Sequence, residues 1–104
     1  MPGKRALRHV VAWRFADGTS AADEAAVIDG LRGTRVVAPT RSMAAGANLA
    51  LSTRSMGLTH MYIGTWDDLD GLEKFREDTV YHAPAGLRLR QHVGAPASAF
   101  DVIG

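Results

Sequence analysis

Apolar and polar positions alternate along the first ordered stretch of the chain. Over residues 7–15, His9, Val11, Trp13 and Phe15 fall on one side of an extended backbone, and Val10, Ala12 and Arg14 on the other. Valine and aromatic residues favour a pleated strand, and apolar side chains on both sides predict a strand covered on both faces. Asp17-Gly18 ends it. The period then changes, with Ala25, Val27, Ile28 and Leu31 recurring at helical spacing. Ser20 stands at an N-cap position, and Asp23 and Glu24 put negative charge in the first turn, where it suits the helix dipole. This predicts a helix running to Arg32 with Gly33 as its stop.

Small residues dominate 39–49 and predict a second strand with a bend or bulge near Gly46, followed by a polar surface loop over 50–57. A third strand over 58–66 alternates His60, Tyr62, Gly64 and Trp66 against Thr59, Met61, Ile63 and Thr65. Asp67 or Asp68 then caps a second helix to about residue 78, with Leu69, Leu72 and Phe75 facing inward. The stretch 81–91 reads as a short helix with Pro84 in its first turn, although Leu87-Arg88-Leu89-Arg90 also alternates like a strand. Residues 97–103 form the closing strand. The order β-α-β-β-α-β is that of an α+β, ferredoxin-like sheet, and 1–104 reads as a single domain. Helices cover one face of such a sheet. The other face, with Val10, Ala12, Met61 and Ile63, needs cover too, most simply a second copy of the chain.

Composition narrows the classes of function. Lys and Arg number 12 against 11 Asp and Glu, a formal charge of +1. That argues against a nucleic-acid partner, which calls for a basic excess on one face. No apolar run approaches the roughly 18 residues of a membrane span, and no apolar leader follows Lys4-Arg5. Cysteine is absent, which excludes disulfides and thiol chemistry and fits a cytoplasmic location.

Histidine is the chemistry-bearing residue that remains. Its proton affinity lies near working pH, which suits it to general acid–base catalysis. His9 and His60 share the phase of Val11, Trp13 and Tyr62 on two strands, whereas His92 lies in a polar stretch and reads as a surface residue. Taken singly, each strand histidine is more simply a hydrogen-bonding residue between strands. Three histidines can also hold zinc, but no H-x-H or H-x-x-x-H pair occurs, so no metal is expected. Neither a G-x-G-x-x-G run nor a nucleophile elbow around any serine is present, and no cofactor is expected.

Several segments together resemble the stress-responsive A/B-barrel (Dabb) family of dimeric α+β barrels. The opening Arg8-His9-Val10-Val11-Ala12-Trp13-Arg14-Phe15 resembles its first strand, a H-x-V-x-x-[FW]-[KR]-F pattern. Gly46-x-Asn48-Leu49, then Arg54-Ser55-x-Gly57-Leu58-Thr59-His60, resembles the end of its second strand, the loop and the start of its third, and Phe100-Asp101 fits its close. The resemblance implies a homodimer of two face-to-face sheets, with a small cavity in each subunit between sheet and helices.

Similarity to the family's polyketide cyclases, of the olivetolic acid cyclase type, implies His82, His9 and His60 as catalytic residues. Val11, Trp13, Val27, Ile28, Leu31, Tyr62, Phe75 and Tyr81 would then line the substrate site. The chain departs from that pattern twice. An ungapped alignment sets Tyr81, not His82, at the family's catalytic histidine, and Phe75 stands where the cyclase has a tyrosine. A helical start turns Tyr81 and His82 about 100° apart, so one of the two enters the pocket. The function implied is a cofactor-independent cyclase or isomerase acting on a polyketide-like or aromatic small molecule. A non-catalytic, small-molecule-binding or stress-protective dimer, and a cofactor-free monooxygenase, are the alternatives.

Overall fold

The computed structural model describes residues 6–38, 40–47, 57–94 and 97–103. Four antiparallel strands form one sheet: β1 (Leu7–Trp13), β2 (Ser42–Ala47), β3 (His60–Trp66) and β4 (Ser98–Ile103), in the order β2-β3-β1-β4. Between them run α1 (Ala21–Gly33), α2 (Leu69–Glu77) and α3 (His82–Gln91). This is the ferredoxin-like α+β arrangement that the order of elements predicts. Most of the loop expected over 50–57, and Asn48, Leu49, Arg54 and Ser55 of the family-like segments, lie outside the described residues.

Local chemistry explains most boundaries. The Ser20 hydroxyl accepts from the Asp23 N–H at 3.0 Å, and an Asp68 carboxylate oxygen accepts from the Gly71 N–H at 2.9 Å, so both predicted caps satisfy orphan donors. Gly33 is not a stop. It keeps right-handed helical geometry, φ −63°, and the chain tightens into a 3₁₀ turn, Thr34–Val36. The Thr34 hydroxyl, bonded to the Leu31 carbonyl at 2.5 Å, closes the end instead. The second strand is shorter than 39–49. Its Gly46 pairs in register with Met61, without a bulge. Phe15 lies beyond β1 in an isolated bridge to Val93.

Inward-facing side chains form two clusters on the helical side of the sheet. Trp13, Val11, Phe15, Val27, Leu31, Tyr62, Ala85 and Leu89 make one, and Leu7, Val37, Trp66, Leu72 and Phe75 the other. Two predicted core residues face outward. Ala25 is exposed because α1 turns Val27 and Leu31 inward. Leu69 is 56% exposed because Gly71, Leu72 and Phe75 carry the inner stripe of α2, leaving its first residue on the outer side.

The open face of the sheet reads row by row from the register. Ala44, Ile63, Val10 and Phe100 form an entirely apolar row, flanked by Gly46, Met61, Ala12 and Ser98 on one side and Ser42, Thr65, Arg8 and Val102 on the other. Phe100 is 60% exposed and Val102 52%.

Candidate functional site

Sheet and helices enclose a cavity of about 350 Å³. Val11 of β1 and Tyr62 of β3 form its floor. Leu31 and Thr34 close one side, Phe75 and Arg76 of α2 another, and α3 contributes His82, Ala83, Gly86, Leu89 and Arg90. Its size is at the low end of the roughly 300–1,000 Å³ range of small-molecule sites.

His82 enters this cavity because of how α3 begins. One carboxylate oxygen of Asp78 accepts the backbone N–H groups of Tyr81, at 2.6 Å, and His82, at 2.9 Å. This fixes the first turn and the direction of each side chain. The His82 ring packs on Phe75, with centroids 4.5 Å apart, and its Nδ1 is buried with no hydrogen-bond partner among the described residues. Burial holds its proton affinity below that of an ordinary histidine. The Arg76 carbonyl and the Asp78 charge oppose this, while the charges of His9 and Arg76 add to it. Tyr81 turns the other way. It is 48% exposed and lines an outer groove with Gly30, Gly33 and Arg88.

Tyr62 is the phenol of the cavity. Burial raises its pKa to about 12, so it keeps its proton and can donate a hydrogen bond. The edge of the His9 ring lies against it, 5.8 Å between centroids. His9 is not a cavity-lining residue. Its Nδ1 meets Asp101 Oδ1 at 2.5 Å, and Asp101 Oδ2 accepts from Arg76 at 3.1 Å. A carboxylate can only accept, so Nδ1–H of His9 is the donor in this contact. Strand register creates this contact, since His9 and Asp101 are direct cross-strand partners.

The structure does not bring His60 to this group. It shares the face of Tyr62 but pairs with Trp13, far along the strand from the Gly64 that pairs with His9. Its ring stacks on Trp13, 5.9 Å, and meets Phe15 edge-on, 4.7 Å, and its Nδ1 lies 2.7 Å from the Thr59 hydroxyl. Trp13 and Val27 are sealed in the core and Ile28 packs against it. Of the anticipated wall residues, Val11, Leu31, Tyr62 and Phe75 line the cavity. His92 is half-buried at the end of α3, where its carbonyl accepts from Ala16. Thr34, Arg76 and Arg90 were not anticipated. Charged residues near helix ends look like solvated positions in a sequence, so only the three-dimensional arrangement singles them out. Among the described residues, no group of three or more His, Cys, Asp or Glu is placed to hold a metal ion, and no helix is long and apolar enough to cross a membrane.

The profile of the stress responsive A/B barrel domain (Dabb) family matches residues 7–97. A search of curated proteins finds no match. Among solved structures, the hydroxynitrile lyase of Passiflora edulis superposes with a TM-score of 0.83 at 17% identity, covering 97% of this chain and 94% of that one. A dimeric ferredoxin-like protein of unknown function from Thermobifida fusca gives 0.81 at 20% identity, covering 100% and 94%. A Dabb-family protein with a ferredoxin-like fold from Mesorhizobium loti gives 0.78 at 10% identity, covering 96% and 97%. At these identities the likeness is one of fold.

Proposed function

Because this chain belongs to the stress responsive A/B barrel domain family, we propose that its cavity is a site for general acid–base chemistry on a small carbonyl compound, needing no cofactor. The observation that carries this reading is that His82 and Tyr62 both line the cavity, with the half-buried His82 ring packed on Phe75. A base must be unprotonated before it can act, and burial keeps this ring neutral at neutral pH. Tyr62 supplies the complementary donor. As a carbon acid loses its proton to His82, charge develops on the adjacent carbonyl oxygen, and a protonated phenol can stabilise it. His9 acts as a positioning residue behind Tyr62, held by Asp101 and Arg76. Tyr62 thus fills the role left open by Phe75.

The reaction we favour is an intramolecular aldol cyclisation of a poly-β-ketone, with the apolar walls folding the chain so that the reacting carbons meet. Protons move between substrate and His82, and no redox partner is required. We place this activity in the cytoplasm, in keeping with the absence of cysteine, and in a homodimer formed through the open sheet face. Relatives of the same fold from Thermobifida fusca and Bacteroides fragilis are described as dimeric.

The test is cyclisation of linear 3,5,7-trioxo thioesters, whose C2 carbanion can close a six-membered ring on the C7 ketone, with mandelonitrile cleavage as a second assay because one neighbour is a hydroxynitrile lyase. His82→Ala should lower turnover by about 10²–10⁴-fold, the usual contribution of a general base, with folding intact. In the wild type, kcat/KM should rise with pH and level off above an apparent pKa below 6.5, because His82 is depressed from that value. If the wild type is no faster than His82→Ala on either substrate class, the non-catalytic binding role becomes the better account.

A further inference from the structure

The cavity has an imbalance of charge that the proposed reaction does not use. Two guanidinium groups belong to its wall, Arg76 and Arg90. Arg76 is matched by Asp101, and Asp101 also takes His9. All eleven Asp and Glu side chains of the sequence lie among the described residues. Arg90 forms no ion pair with any of them, whereas Arg76 pairs with Asp101 and Arg41 with Asp67. Arg90 is exposed, at the rim. Its guanidinium lies over Gly86, one turn back on α3, where a Cβ would come within 3.3 Å of Nη1. Gly86 itself lines the cavity, so the free cation is held against the wall.

Other sources of positive potential are already engaged. The Tyr81 and His82 N–H groups bond to the Asp78 side chain, and that of Ala83 to its carbonyl, so the start of α3 has no spare donors there. His82 and Tyr62 are neutral at neutral pH, as derived above. We infer that the cavity takes its small molecule as an anion, an apolar or aromatic carboxylic acid whose carboxylate pairs with Arg90 at the rim while its body lies against Val11, Leu31, Phe75 and Leu89. A guanidinium presents parallel N–H groups matched to the two oxygens of a carboxylate. This inference rests on the cavity being a small-molecule site and adds the charge of what enters it.

The probes are 2-naphthoate and its neutral counterpart 2-naphthamide, titrated into the ¹⁵N-labelled full chain at pH 7.5. Both should shift the backbone amides of His82, Gly86 and Leu89, and the carboxylate should bind at least tenfold more tightly. Arg90→Gln should reduce 2-naphthoate to the affinity of the amide and leave 2-naphthamide unchanged, whereas Arg76→Gln should keep the preference for the anion. Equal affinity of the two probes for the wild type overturns the anionic class and leaves the cavity reading standing. A preference that survives Arg90→Gln overturns the role of that residue. If neither probe shifts those amides at millimolar concentration, the cavity reading fails, and this inference with it.

Discussion

Gly64 shows how one residue couples stability to the site. A Cβ there would lie 2.3 Å and 2.8 Å from carbons of the Trp66 ring and 2.9 Å from Met43 Cε. The Trp66 indole therefore occupies the space that any side chain at 64 would need. Trp66 packs on Phe75 at 4.7 Å between centroids, and Phe75 on His82 at 4.5 Å. Gly64→Ala should destabilise the fold by about 1–3 kcal/mol, the usual cost of overpacking, seen as a lower urea midpoint at unchanged m. It should also move the His82 ring resonances. An unchanged midpoint would show that Trp66 can leave Gly64 freely. Sequence reading found the inward phase of this strand but not the role of Gly64, because alternation fixes a side chain's face and says nothing about which neighbour folds back over it. The same limit explains His60. Its phase matches that of His9, but phase does not encode distance along the strand, and register sets the two apart. Arg76 and Arg90 were illegible for a different reason, since an arginine near a helix end is ordinary on a solvated surface.

At the level of elements, the predicted order holds throughout, and the N-caps at Ser20 and Asp68 were legible because each stands directly before an apolar-periodic run. The joint between α2 and α3 was the obscure region. Tyr81, at the N-cap position of α3, makes no side-chain cap, and the work falls to Asp78, three and four residues upstream of the N–H groups it accepts. In the sequence, Pro84 and the alternating Leu87 and Leu89 carry the local pattern, and a lone carboxylate at 78 carries none. The site depends on this joint, because Asp78 decides that His82 rather than Tyr81 faces the cavity. Asp78→Ala should speed hydrogen exchange at the Tyr81 and His82 amides and broaden the His82 ring signals, with Asp78→Asn milder because it keeps an acceptor oxygen. Backbone N–H donors hold the Asp78 carboxyl below its usual 3.8. Its contribution is thus present at neutral pH and fades as pH falls from that value through the lower, folded one. Acid should therefore loosen the start of α3 in the wild type and cause no matching change in Asp78→Ala. Equal exchange in wild type and Asp78→Ala at neutral pH would remove this role.

The whole molecule leaves one large demand unmet within a single chain. The helices bury one side of the sheet, whereas Ala44, Ile63, Val10 and Phe100 form an apolar row across the other, with Met61 and Val102 beside it. Polar residues stand toward the ends, Ser42, Thr65 and Arg8 in one flanking row and Ser98 in the other. An apolar centre with a polar border is the anatomy of an interface, and stacking two such sheets face to face, about 10 Å apart, would bury both centres. Alternation in β1 and β3 made this face legible before any coordinates, but the exposure of β4 depends on its register with β1. Phe100→Glu places a charge in the central row and should convert the protein to a monomer at micromolar concentration, measured by light scattering, where the wild type gives twice the chain mass. Leu87→Glu, on a helix and 52% exposed, serves as the control and should remain dimeric. Because folding and association are then linked, the wild-type melting temperature should rise with protein concentration while that of Phe100→Glu should not. A wild type that scatters as a monomer, or a Leu87→Glu variant that dissociates equally, would show that this face is not where two copies meet.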